Sequence, residues 1–139
     1  MATFEIQGRD LALVFTPLEV LGGLRSGARI PLDQVQSVEV VQDPWSILEG
    51  LRVGTGIPWV IVLGTMVRSG PNDVVAVYKQ RPAVVVNLRP GALYHRLIAT
   101  VPDPDRVAAE LSNRISSVRA LPTPLPRRLA MFRSHLDAG

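Results

Sequence analysis

Four apolar, β-branched runs in the middle of the chain constrain its fold more than any other feature. They are Val60-Ile61-Val62-Leu63, Val74-Val75-Ala76-Val77-Tyr78, Ala83-Val84-Val85-Val86-Asn87-Leu88 and Arg96-Leu97-Ile98-Ala99-Thr100-Val101. Between them stand Ser69-Gly70-Pro71-Asn72-Asp73, Gln80-Arg81-Pro82 and Arg89-Pro90-Gly91. In such connectors glycine supplies positive φ, proline a fixed φ, and asparagine or aspartate a local backbone cap. Strands spaced by about 8–12 residues with this punctuation predict a sandwich or barrel and argue against a parallel sheet wrapped by helices.

The N-terminal part extends the pattern. Thr3-Phe4-Glu5-Ile6-Gln7 alternates apolar and polar residues, the mark of a half-buried strand. Gly8-Arg9-Asp10 then turns the chain into Leu11-Ala12-Leu13-Val14-Phe15, so the two runs form a hairpin. Thr16, Pro17 and Glu19 combine an N-cap hydroxyl, proline at the first helical position and an acid at the third. Leu18, Leu21 and Leu24 follow at helical spacing and Gly22-Gly23 end the element, which predicts a short helix near 17–24. From Arg29 to Gln42 the chain reads as extended, and Asp43-Pro44 ends that stretch. Trp45 to Thr55 reads as irregular, with Trp45, Ile47, Leu48 and Leu51 as apolar anchors among the breakers Gly50, Gly54 and Gly56.

Asp103-Pro104-Asp105 opens a C-terminal helix with an N-cap acid and a proline at the first position. Val107, Ala108, Leu111, Ile115 and Val118 form one apolar stripe, which needs the open end or seam of a curled sheet to cover. Leu121 to Pro126 carries three prolines and predicts extended, polyproline-like chain. Residues 1–120 are therefore expected to be one domain, and 121–139 a proline-rich linker with a short basic amphipathic or disordered tail.

The chain has no cysteine, which excludes disulfides, thiolate metal sites and cysteine nucleophiles. A net charge of +3 is small for a nucleic-acid binder, so no nucleic-acid partner is expected. The basic residues are 14 Arg and one Lys, a skew that fits genome composition better than function. Met1-Ala2-Thr3-Phe4-Glu5 lacks the features of a signal peptide, and the longest apolar run, Ile57 to Val67, is 11 residues. A membrane helix needs about 20. The expected location is cytoplasmic, with the inner face of the membrane as the alternative.

The order of elements resembles the pleckstrin-homology-like (PH-like) fold of a group of small bacterial, actinobacterial-type proteins, mostly uncharacterised. The residues carrying the resemblance are Thr16-Pro17-Leu18-Glu19, Ile30 to Val38, Leu51 to Pro58, Gly64-Thr65, Tyr94-His95-Arg96-Leu97 and Val101-Pro102-Asp103-Pro104, within residues 2–118. Two places depart from it. Val53-Gly54-Thr55 stands where Pro-Gly-Thr is usual, and Pro58-Trp59 where Pro-Gly is usual. The resemblance implies a mainly β barrel or sandwich of about seven antiparallel strands closed by one C-terminal helix. It implies a binding or scaffolding role, and it transfers no catalytic residue.

The side chains point away from catalysis. His95 and His135 have no second histidine at metal-ligand spacing, and no serine sits in a Gly-x-Ser-x-Gly elbow. Asp103 and Asp105 are explained by helix capping. Gly54-Thr55-Gly56 is followed by Ile57-Pro58 and a strand, so it lacks the ensuing helix of a phosphate loop. No enzyme activity, cofactor or metal is expected. Arg9 alone stands in the first turn, which argues against a phosphoinositide cluster, while Arg68, Lys79 and Arg81 lie near later turns.

The expected function is an interaction module for a protein or peptide partner. Trp45, Leu48, Leu51, Arg52 and Trp59 are the candidate contact residues, as the lining of a groove or as plugs of the barrel. The alternative is weak binding to an anionic membrane through Arg127, Arg128 and Arg133 with the basic loops. Edge strands leave a homo-oligomer open.

Overall fold

The computed structural model describes residues 1–120. The proposed tail contacts Arg127, Arg128 and Arg133 lie outside the described residues. The chain runs β1 (Thr3–Gln7), β2 (Asp10–Val14), α1 (Pro17–Gly23), β3 (Gly27–Pro31), β4 (Val35–Val41), β5 (Leu51–Ile57), β6 (Ile61–Val67), β7 (Asp73–Tyr78), β8 (Ala83–Leu88), β9 (Arg96–Ala99) and α2 (Pro104–Ala120). Single 3-10 turns occupy Leu32–Gln34 and Pro44–Ile47.

Two open sheets result, one of three strands in the order β1-β2-β3 and one of six in the order β4-β8-β9-β7-β6-β5. The mainly β class, the short first helix and the C-terminal helix agree with expectation; the strand count and the pairing do not. Among the described residues there are nine strands rather than about seven, and β7 pairs with β9 in parallel. The reason is a split pair. β7 and β8 are consecutive and opposite in direction, but β9 lies between them, antiparallel to β8 and therefore parallel to β7.

Two further readings are corrected. The extended stretch after Arg29 is two strands in different sheets, separated by the turn at Leu32–Gln34. Leu51 to Thr55 is not irregular but belongs to β5, which pairs with β6 without a register shift. Its Gly54 serves an approach by α1. Gly54 pairs with Gly64, both at positive φ, and a Cβ on Gly64 would lie 2.1 Å from the Val53 carbonyl and 2.8 Å from that of Gly23 at the end of α1.

The main core lies between the sheets. Leu11, Leu13 and Ile30 of the small sheet meet Leu63, Val74, Ala76, Val84, Val86 and Leu97 of the large one. Every residue of the predicted α2 stripe joins this core, Leu111 and Ile115 fully buried and Val107, Ala108 and Val118 partly. The helix packs on β4, β8 and the turn at Leu32–Gln34. Burying a Leu- or Ile-sized side chain stabilises by about 1.5–3 kcal/mol, so this stripe is a principal reason α2 docks.

Helix α1 starts with the predicted capping box. Thr16 Oγ1 accepts from the Glu19 N–H at 3.3 Å, and Glu19 Oε1 accepts from the Thr16 N–H at 2.8 Å. Glu19 is also buried, and its other oxygen accepts a hydrogen bond from the Tyr78 hydroxyl. Burial, chiefly, and that bond to Glu19 push the Tyr78 phenol well above its usual range.

Candidate functional site

The second face of the large sheet has its own cluster, made of Val62, Met66, Val75, Val77, Ala83, Val85 and Ile98. Among the described residues no second sheet covers it. Instead the turn at Pro44–Ile47 folds across it, bringing Trp45, Ile47 and Leu48 down onto these residues. Because Pro44 is buried and proline sets φ at the start of that turn, the chain enters it in a fixed direction.

The turn between β5 and β6 completes the site. Val60 N–H donates to the Ile57 carbonyl at 2.9 Å, with Pro58 and Trp59 at the central positions and Trp59 at φ 65°. Proline first and positive φ second is the arrangement of a type II turn, whose second central residue is ordinarily glycine. Here a tryptophan takes that strained conformation, and its side chain remains 55% exposed. Its ring lies 5.5 Å from that of Trp45, tilted by 52°. Trp45 is held in turn: its indole N–H donates to the Lys79 carbonyl at 2.6 Å, and the Lys79 N–H donates to the Val60 carbonyl at 2.7 Å.

Trp45, Leu48, Arg52 and Trp59 wall a groove of about 250 Å³ over a floor of Val62 and Met66. Four of the five residues singled out in the sequence therefore converge. Leu51 does not, because residues alternate along β5 and it points to the opposite face from Arg52. Arg52 lies over Gly56, where a Cβ would stand only 2.4 Å from its Cδ, so the glycine provides a bed for the arginine stem. Arg52 makes no ion pair among the described residues.

Behind the groove is a polar group that sequence reasoning missed. Asp73, read as a turn residue, is the first residue of β7 and fully buried. Its carboxylate receives Arg96 Nη2 at 2.7 Å and lies 2.8 Å from His95 Nδ1. The same Arg96 Nη2 donates to the Ile47 carbonyl at 2.8 Å, which ties the turn carrying Trp45 to the sheet beneath. Only the adjacency of His95 and Arg96 was visible in the sequence; Asp73 reaches them through the parallel β7–β9 pairing.

A larger cleft, about 680 Å³, runs between β1 and α2 and includes Phe4, Ile6, Val107 and Arg106. Arg106 there is engaged by Glu110 of its own helix at 2.8 Å and by Asp103, just before the helix, at 3.2 Å. Among the described residues no three His, Cys, Asp or Glu side chains are grouped to hold a metal ion, and no helix is long and apolar enough to cross a membrane. Compared with known proteins, the chain matches no family model, no curated protein and no solved structure.

Proposed function

We propose that this domain is a non-catalytic interaction module that takes a peptide segment of a protein partner in the Trp45–Trp59 groove. The observation that carries the reading is Trp59. A large aromatic in left-handed backbone costs of order 1–2 kcal/mol relative to glycine, and such strain concentrates at binding sites. A ring held there and left in solvent is a poor investment in stability and a good one in recognition, because Trp and Arg dominate binding hot spots.

Size narrows the occupant. About 250 Å³ is below the roughly 300–1,000 Å³ of small-molecule and cofactor sites but fits one or two side chains. The apolar floor asks for an aliphatic, aromatic or proline anchor, and Arg52 at the wall asks for a neighbouring carboxylate. The larger β1–α2 cleft is the weaker candidate, since it has no tryptophan and its Arg106 is already engaged by Asp103 and Glu110. A PH-like ancestry remains part of this proposal, supported by two stacked sheets and a C-terminal helix; the split β7–β8 pair departs from an all-antiparallel order.

The chain's two tryptophans are both in the groove, so tryptophan fluorescence reports this site alone. Peptides selected from a displayed random library should converge on an apolar anchor beside an acid, shift that emission on titration, and lose affinity with Trp59→Ala or Arg52→Ala. Selected peptides that ignore both substitutions but respond to Arg106→Ala would move the function to the other cleft and sink the proposal.

A further inference from the structure

The large sheet ends at β5, which has β6 on one side and no strand on the other among the described residues. Natural edge strands are usually blunted by lysine, proline or a covering element. The opposite edge follows that rule: α2 packs against β4, and β4 carries Glu39. β5 does not. Its one charge, Arg52, lies on the groove face along Gly56, and the other face presents Leu51, Val53 and Ile57, at 76%, 45% and 52% exposure. Helix α1 rests on that same face, where Thr55 Oγ1 donates to the Gly22 carbonyl at 2.7 Å. It adds Leu18, Leu21 and Leu24, each 71–79% exposed, to the same end of the molecule.

The residues of β5 read almost symmetrically about Gly54: Leu51-Arg52-Val53-Gly54-Thr55-Gly56-Ile57. We infer that β5 pairs antiparallel with β5 of a second copy, with the two-fold axis at Gly54. In that register Leu51 of one copy faces Ile57 of the other, Val53 faces Thr55, and Arg52 faces Gly56. Cross-strand pairs of this kind are the unit of sheet stabilisation. The two Arg52 side chains stand four residues apart along the strands, about 13 Å at roughly 3.3 Å per residue, so like charges do not meet. Shifting the register by two residues in the direction that sets Val53 against its twin brings the arginines closer and pairs Leu51 with Thr55. The self-complementary register is therefore what favours a second copy over a strand from an unrelated protein. A closed two-fold pair joins the two six-stranded sheets edge to edge and leaves both tryptophan grooves on one face. This inference does not depend on what the groove binds.

The chain contains no cysteine, so introduced ones report the register directly. Leu51→Cys and Ile57→Cys chains, prepared separately and mixed under oxidising conditions, should form a disulfide-linked heterodimer. Each alone should not, because like residues then stand about 20 Å apart at roughly 3.3 Å per residue. Light scattering of the full unmodified chain should give twice the 15.1 kDa chain mass. Val53→Lys, or Leu51→Lys where the first variant is poorly folded by circular dichroism, should halve it. Four results overturn the inference: a monomer at every concentration reached, a dimer insensitive to a well-folded lysine variant, single-cysteine chains that cross-link as well as the mixture, or assembly only with a different protein.

Discussion

Trp45 and Trp59 meet with ring centroids 5.5 Å apart, although one comes from the turn before β5 and the other from the turn after it. β5 itself is about 20 Å long at roughly 3.3 Å per residue, so the meeting depends on the turn at Pro44–Ile47 folding back across the sheet, and the Lys79 backbone links both turns by hydrogen bonds. The strained residue of the pair is the exposed one, so stability and recognition pull in opposite directions at position 59.

That opposition is measurable. Trp59→Gly relieves the positive-φ cost, about 1–2 kcal/mol, while losing an aromatic pair contributing about 0.5–1.5 kcal/mol. The variant should be at least as stable as the parent in chemical denaturation, and Trp59→Ala, which keeps the strain, should be less stable than the glycine variant by roughly 1 kcal/mol. Both should lose peptide binding. A glycine variant no more stable than the alanine one would show that the backbone at 59 is not strained.

How far the sequence could be read follows from which forces are local. The β-branched runs, the capping box at Thr16 and Glu19 and the α2 stripe express propensity and periodicity, and the structure bears them out. The tryptophan groove was partly legible because Trp45, Leu48 and Trp59 are large apolar residues crowded among turn-forming prolines and glycines. Gly54 and Gly56 misled, since breakers by propensity are strand residues here, Gly54 where the Gly23 carbonyl of α1 comes close and Gly56 beneath the stem of Arg52. Asp73 was unreadable for another reason: its partner Arg96 is 23 residues away and meets it only through the insertion of β9 between β7 and β8.

The glycine contact makes its own prediction. Gly64→Ala places a Cβ 2.1 Å from the Val53 carbonyl at φ 123°, a backbone-to-backbone clash that no rotamer relieves. The cost should reach the exceptional range above about 4 kcal/mol and displace α1. Gly70→Ala is the control: φ is also positive, but nothing lies within 4 Å, so only about 1–2 kcal/mol should be lost. Equal losses in thermal unfolding would mean that the close approach of α1 does not matter.

Tyr78 predicts an alkaline limit. Its folded-state pKa lies above the unfolded value of 10.0, chiefly through burial and then through Glu19. Above the unfolded pKa the unfolded chain releases the phenolic proton and the folded chain keeps it, so stability falls as pH rises. Below it the contribution is fully present. Tyr78→Phe should flatten this alkaline loss. It should also cost about 1–3 kcal/mol at neutral pH, because the buried Glu19 oxygen loses its donor. Denaturation midpoints on either side of the unfolded phenol pKa test both statements, and a parent and variant with parallel pH profiles would refute the first.

Arg96 should separate folding from recognition. Its guanidinium satisfies the buried Asp73 and also the Ile47 carbonyl, so one residue holds both the sheet and the turn that carries Trp45. Arg96→Leu leaves Asp73 with His95 alone and should cost roughly 3–5 kcal/mol, much of it recovered when Asp73→Leu is added. Arg96→Lys keeps the charge but not the planar fork, so it can serve the carboxylate or the carbonyl but not both in the same geometry. In a Trp59→Phe background Trp45 is the sole emitter, and Arg96→Lys should shift its emission toward that of a solvated indole while the chain stays folded. Weaker peptide affinity should accompany the shift. If Arg96→Lys leaves both emission and affinity unchanged, the turn is held by its apolar contacts to Val62, Val75 and Ile98, and the buried Asp73–Arg96 pair serves the sheet alone.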